Sequence, residues 1–178
     1  MEYPITKIRS GDTLLVSRKV RWWNPKDFFS WRIQATTGSK WNHVAVVAWK
    51  KSKPVIIEAL FNGGVVISDP EKYMTNGYEL ALSRPAWTTE TQGTTAAAFA
   101  IIQVGCEYDK AKIIKIRLLQ LILGSNGVDL INIDENDDMF ICSELAIRAW
   151  SAAGRKIGGS FAGPADVAKH TTIYWEKS

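Results

Sequence analysis

The sequence predicts an α+β fold in which strands come first and form an antiparallel sheet or half-barrel, with helices packed against it. Three observations carry this expectation. Between residues 11 and 85, short runs of β-branched and apolar residues alternate with Gly, Pro and polar turn signals. From Thr88 onward the pattern changes to capped, Ala-rich and amphipathic stretches of helical length. A strand meander buries a face only if something covers it, and the later helices are the available cover.

The elements follow in order. Gly11-Asp12 is a turn signal leading into the strand TLLV. HVAVVAW at residues 43–49 and VIIEAL at residues 55–60 flank a polar turn, Lys50 to Pro54, and read as an antiparallel hairpin. Gly63-Gly64-VVIS gives a third strand of this group, and residues 79–83 a fourth, ended by Pro85. Thr88 or Thr89 caps a helix that carries Glu90 and Ala96 to Val104 and stops at Gly105. Residues 110–123 read as a second helix, apolar on most sides, and 125–138 as a loop that turns acidic at Asp134, Glu135, Asp137 and Asp138. The last helix runs from about Cys142 to Ala153, with Gly154 as its stop. A shorter helix begins near Asn24-Pro25, inside an aromatic, basic stretch that includes Trp22, Trp23, Phe28, Phe29, Trp31 and Trp41.

The chain has 178 residues, the size of one domain, so residues 1–178 are expected to fold together without an internal linker. No segment reaches the roughly 20 apolar residues needed to cross a bilayer. The N-terminal residues carry neither an apolar core of signal-peptide length nor a small-residue cleavage site. The expected place is therefore the cytoplasm, or a viral or phage product delivered by another route. Cys106 and Cys142 cannot build a disulfide framework, and with His43 and His170 they show no zinc spacing, so no metal and no cofactor are expected. Asp134-Asn136-Asp138 has the start of a calcium loop, but Met139 stands where a glycine is needed. The formal charge is +4, concentrated in the first 60 residues. No nucleic-acid motif accompanies that charge, so nucleic acid is not an expected partner and a solvated basic face is.

Chemistry concentrates at three residues. Cys142 begins a helix, where unpaired backbone N–H groups and the positive dipole end favour a thiolate and can also hold an oxyanion. Read alone, Cys142 fits a small buried core residue better, and only its context argues for a nucleophile. His43 starts a strand after the polar Trp41-Asn42 and could be its base. Glu58 is the only charge in VIIEAL, and a carboxylate in that setting must be paired. Beside an imidazole it would fix the tautomer and stabilise the imidazolium. The hairpin register is open at this point: a turn centred near Lys50-Lys51 puts residue 43 opposite 58, whereas one centred on Ser52 does not.

The series GDTLLV, TGSKWNHVAVV, VIIEAL with Gly64-Val65, LSRPAW, GCEYD, FICSELAIRAW and PADVA resembles the circularly permuted NlpC-type branch of the papain-like cysteine hydrolases, in particular its YiiX-like members. The resemblance spans residues 11–168. It implies a permuted papain-like fold with the histidine and acidic strands ahead of the cysteine helix, and an amide or related acyl bond cleaved through a thioester. It also implies Cys142 as nucleophile, His43 as general base, Glu58 as the polar third member, and Tyr108 with Ser143 as oxyanion or active-site lining. Trp31, Trp41 and Asn42 are candidates for a substrate groove, with core packing as the alternative.

A peptide or acyl substrate is implied, a cell-wall peptide first. A lipid acyltransferase or thioesterase of the lecithin retinol acyltransferase type is the rival enzyme reading. A virion or binding protein that kept the fold is the non-enzymatic one. Residues 110–138 read as an insertion that diverges from the family. KIIKIRLLQLIL within them reads as core packing, as a lid, or as a membrane-surface contact. Cys106 has no nearby base and reads as structural. The sequence leaves oligomeric state open.

Overall fold

The structure is a computed structural model that describes residues 4–18, 39–109, 140–159 and 163–177. The helix expected near Asn24-Pro25, the segment 110–138 and Trp31 lie outside the described residues.

Six strands form one antiparallel sheet: β1 (Thr13–Arg18), β2 (His43–Lys50), β3 (Lys53–Leu60), β4 (Gly64–Ser68), β5 (Tyr78–Arg84) and β6 (Thr172–Lys177). Their spatial order is β4-β3-β2-β1-β5-β6, so β5 returns past the meander to pair with β1. Among the described residues, three α-helices accompany the sheet: α1 (Glu90–Ile102), α2 (Cys142–Ala152) and α3 (Pro164–Lys169). Thr89 caps α1 with a reciprocal bond to Gln92, satisfying two of the N–H groups a helix start leaves open. Among the described residues no helix is long and apolar enough to cross a membrane.

The strands expected from the sequence are met with small shifts in boundary, while four described elements escaped it: the 3-10 turns Ile5–Lys7 and Pro70–Tyr73, helix α3, and strand β6. Strand β6 pairs with β5 as an edge strand and buries little, so it shows no clean alternation. The expectation that the sheet buries one face is also corrected. Leu15, Val44, Val46, Ala48, Ile57 and Ala59 face the small residues Ala96, Ala97 and Ala100 of α1 and the Leu145–Trp150 face of α2. Leu14, Val16, Ala45, Val47, Ile56 and Leu82 form a second cluster with Ile8 and Tyr73 on the other side. Burial on both faces explains why β1 and β2 read as unbroken apolar runs.

The turn of the β2–β3 hairpin is Lys51-Ser52, both at positive φ (48° and 63°), the backbone twist a two-residue hairpin loop requires. It sets Lys50 opposite Lys53 and Val46 opposite Ile57. Residue 43 therefore falls two positions away from the place opposite 58. Because strand side chains alternate with a period of two, a two-residue offset keeps both side chains on one face as diagonal neighbours.

Asp12, fully buried, accepts hydrogen bonds from Arg9 N (2.7 Å), Arg84 Nη2 (2.8 Å) and the Tyr174 hydroxyl (2.6 Å), which ties β1 to β5 and β6. Close by, Gly11 at φ +83° lies against Gly93 of α1. A Cβ on Gly93 would come within 2.3 Å of the Ser10 carbonyl oxygen, a backbone atom that cannot turn aside. Gly93→Ala gains helix propensity of about 1 kcal/mol. Overpacking of about 1–3 kcal/mol outweighs that gain. The expected outcome is a thermal midpoint lowered by several degrees, read by calorimetry; an unchanged or higher midpoint would show that α1 can move away.

Candidate active site

Pairing of β2 with β3 runs from Lys50↔Lys53 to Val46↔Ile57, although β2 starts at His43 and β3 continues to Leu60. The start of α2 comes to the place where the strands part. Just ahead of it, Phe140 forms a parallel bridge with Tyr108: Phe140 N donates to Glu107 O (3.0 Å) and Asp109 N to Phe140 O (3.2 Å). The buried face Leu145, Ala146, Ala149 and Trp150 anchors the helix on the sheet. No side chain caps α2; Ile141 is its N-cap residue. Of its first N–H groups, that of Ser143 is directed at the Cys142 sulfur.

The Cys142 sulfur uses this arrangement. Burial pushes its thiol up, but the hydrogen bond and charge of His43, then the backbone N–H groups of Val44 and Ser143, bring it down, and the net direction is downward. His43 is hydrogen-bonded through Nε2 to Glu58 Oε2 at 2.8 Å, and its ring interacts with the Cys142 sulfur closely enough to shift it. With Nε2 directed at the carboxylate, Nδ1 is the ring nitrogen left for the sulfur. Burial pulls the imidazole pKa down, while Cys142 and Glu58 raise it, to about 9.

Glu58 is fully buried. Its Oε2 also accepts from the Tyr73 hydroxyl (2.7 Å), and Oε1 pairs with Lys72 Nζ. Burial works against its charge, but His43, Lys72 and Ser68 outweigh this and hold its pKa at about 2. The Tyr73 phenol is pushed well above its ordinary range by burial and by the Glu58 charge. An anionic carboxylate, a cationic-leaning imidazole and an acidified thiol thus stand next to one another, the first two joined by a hydrogen bond.

The other candidates are placed as follows. Ser143 is buried, with its N–H on the Cys142 sulfur. Tyr108 sits beside Phe140, two residues ahead of Cys142, with its ring edge-on to Phe61 at 5.7 Å. Trp41 is 5% exposed within the helix-side core, and Lys40 Nζ lies 4.7 Å from its ring centre. Asn42 accepts from Arg18 N and donates to Arg18 O, both at 3.3 Å, holding the end of β1. Cys106 is in the turn after α1, where its thiol faces Gln103 Oε1 and its carbonyl accepts from Val65 N. Sequence reasoning missed Val44, Ser68, Lys72 and Tyr73. Asp69-Pro70 does mark a turn, capped by Asp69 on Glu71 N, but a turn signal does not say where the side chains after it point.

The sequence model of the permuted papain-like amidases, the YaeF/YiiX or C92 peptidase family, matches residues 8–115, more than half of the chain. The chain belongs to that family. The match includes His43, Glu58 and Tyr108, and Cys142 lies beyond its end. Family membership makes the chain a papain-like, amidase-type hydrolase by descent. A solved structure of yiiX from Escherichia coli O157:H7 is similar in fold, with a TM-score of 0.57 and 18% identity over 93% of this chain and 88% of that one. No curated protein matches the chain. The yiiX structure is described as that of a metalloprotein. Among the described residues of this chain, no three His, Cys, Asp or Glu side chains converge in a way that could hold a metal ion.

Proposed function

We propose that the protein hydrolyses an amide bond through a thioester on Cys142, with His43 as general base and acid and Glu58 as its orienting carboxylate. The observation that carries this reading is the His43 imidazole, bound through Nε2 to Glu58 Oε2 at 2.8 Å and close enough to the Cys142 sulfur that each favours the other's charged form. The proton of the thiol rests on the imidazole, and the thiolate attacks the amide carbon. Negative charge forms on the carbonyl oxygen beside the uncapped start of α2. The imidazolium gives its proton to the departing amine, the C–N bond breaks, and the acyl group stays on sulfur. His43 then takes a proton from water, the hydroxide attacks the thioester, and the acid leaves as the thiol is restored.

The substrate class is a peptide, with a cell-wall peptide first, a choice that rests on the family. Incubation of the purified protein with muropeptides is the test, read by a new free amine and by an acyl adduct on Cys142 in quenched samples. Both signals are expected. Adducts from acyl-lipid vesicles, with none from muropeptides, would overturn the peptide substrate and favour an acyl transferase.

A further inference from the structure

Glu58 makes more contacts than an orienting carboxylate needs. One oxygen, Oε2, receives both the His43 ring nitrogen (2.8 Å) and the Tyr73 hydroxyl (2.7 Å). The other, Oε1, is paired with Lys72, whose ammonium also donates to Ser68 Oγ (3.2 Å) and lies 4.8 Å from the Tyr73 ring centre. Lys72 and Tyr73 are neighbours on the turn Pro70–Tyr73, which Asp69 and Pro70 fix in place. Tyr73 is itself held by the Tyr78 ring of β5, edge-on at 5.2 Å, and its own ring lies 6.0 Å from that of His43.

We propose that Lys72 and Tyr73 form a clamp on the Glu58 carboxylate, fixing which oxygen faces His43 and offsetting part of its charge. Both are positioning residues, and the inference rests on the reading of Cys142, His43 and Glu58 above. With both oxygens engaged, the carboxyl group cannot rotate without breaking one of these contacts, so the imidazole it holds keeps one orientation toward the sulfur. The groups that face this centre are His43 from β2, Ser68 from β4, Tyr78 from β5, Cys142 from α2, and Lys72 with Tyr73 from the turn. Lys72 is the cation on the carboxylate side. Without it, the whole charge of Glu58 falls on the imidazolium, which then holds its proton to higher pH.

The chain has two histidines, so His170→Ala leaves His43 as the only imidazole for NMR. In that background the His43 titration is measured with Lys72 intact, in Lys72→Met and in Lys72→Arg. Lys72 is 36% exposed, so its replacement leaves the core in place. The clamp requires the Lys72→Met midpoint to move upward and Lys72→Arg to restore it. Tyr73→Phe is expected to move the midpoint the same way and, once a turned-over amide is in hand, to lower kcat with little change in KM. An unmoved or lowered midpoint in both Lys72→Met and Tyr73→Phe would overturn the clamp. A wild-type midpoint near the ordinary value that ignores Cys142→Ala would instead overturn the catalytic reading, whatever Lys72 does.

Discussion

Cys142→Ala and His43→Ala each lower amide turnover by about 10⁴- to 10⁶-fold, as expected for members of one nucleophile–base unit. The double variant is expected to lose little more than either single one, because the second change removes a partner that no longer has work to do. The two single variants differ in the thiol. In Cys142→Ala no nucleophile remains, whereas in His43→Ala the sulfur is present but has lost its main source of acidity. There only the Val44 and Ser143 N–H groups oppose the burial that favours the neutral thiol. A loss of less than tenfold in either variant, with circular dichroism unchanged, would mean the chemistry resides elsewhere.

Glu58→Ala has the largest expected effect on stability. The carboxylate is fully buried and holds His43, Tyr73 and Lys72 together. Removing one partner of such a centre costs about 3 kcal/mol or more. That corresponds to a thermal midpoint roughly 10 °C lower for a chain of this length. Lys72 can reach water, so most of the penalty comes from His43 and the Tyr73 hydroxyl.

The pH dependence carries the same signature. Glu58 is depressed from 4.5 to about 2, so its contribution is complete above pH 4.5 and is lost as pH falls through about 2. His43 is raised from 6.5 to about 9, so its contribution is complete below pH 6.5 and is lost as pH rises through about 9. Wild-type stability should therefore be flat, as far as this pair decides it, between pH 4.5 and 6.5. In Glu58→Gln the acid slope from this group disappears, and the alkaline fall begins at lower pH because the imidazolium has lost its carboxylate. Thermal melts across pH 2–10 read both effects, and superimposable wild-type and variant curves would contradict the pairing.

Much of the site was legible because its requirements are local. Cys142 announces itself as the first residue of a helix pattern, and Glu58 as a lone charge in an apolar strand, which must have a partner. What sequence could not supply was the geometry between strands. The register turned on whether Lys51 and Ser52 could both adopt positive φ, which neither residue type favours, and the offset it produced brings His43 to Glu58 diagonally instead of face to face. Lys72 and Tyr73 were hidden for a related reason: their role depends on a turn folding back over β3, and no periodicity marks that. Strand β6 was missed because an edge strand that buries little leaves no clear pattern, although it completes the sheet beside β5.

The central claim is that His43 keeps Cys142 in the thiolate form, and site-resolved alkylation against pH tests it most directly. Iodoacetamide modification of Cys142, followed by mass spectrometry in wild type and in His43→Ala, should show a wild-type midpoint well below the ordinary thiol value of about 8.5. It should also show a rate at pH 6 at least about tenfold above that of the variant, the equivalent of one pH unit in thiolate population. Identical curves for the two proteins, both rising near the ordinary thiol value, would contradict it.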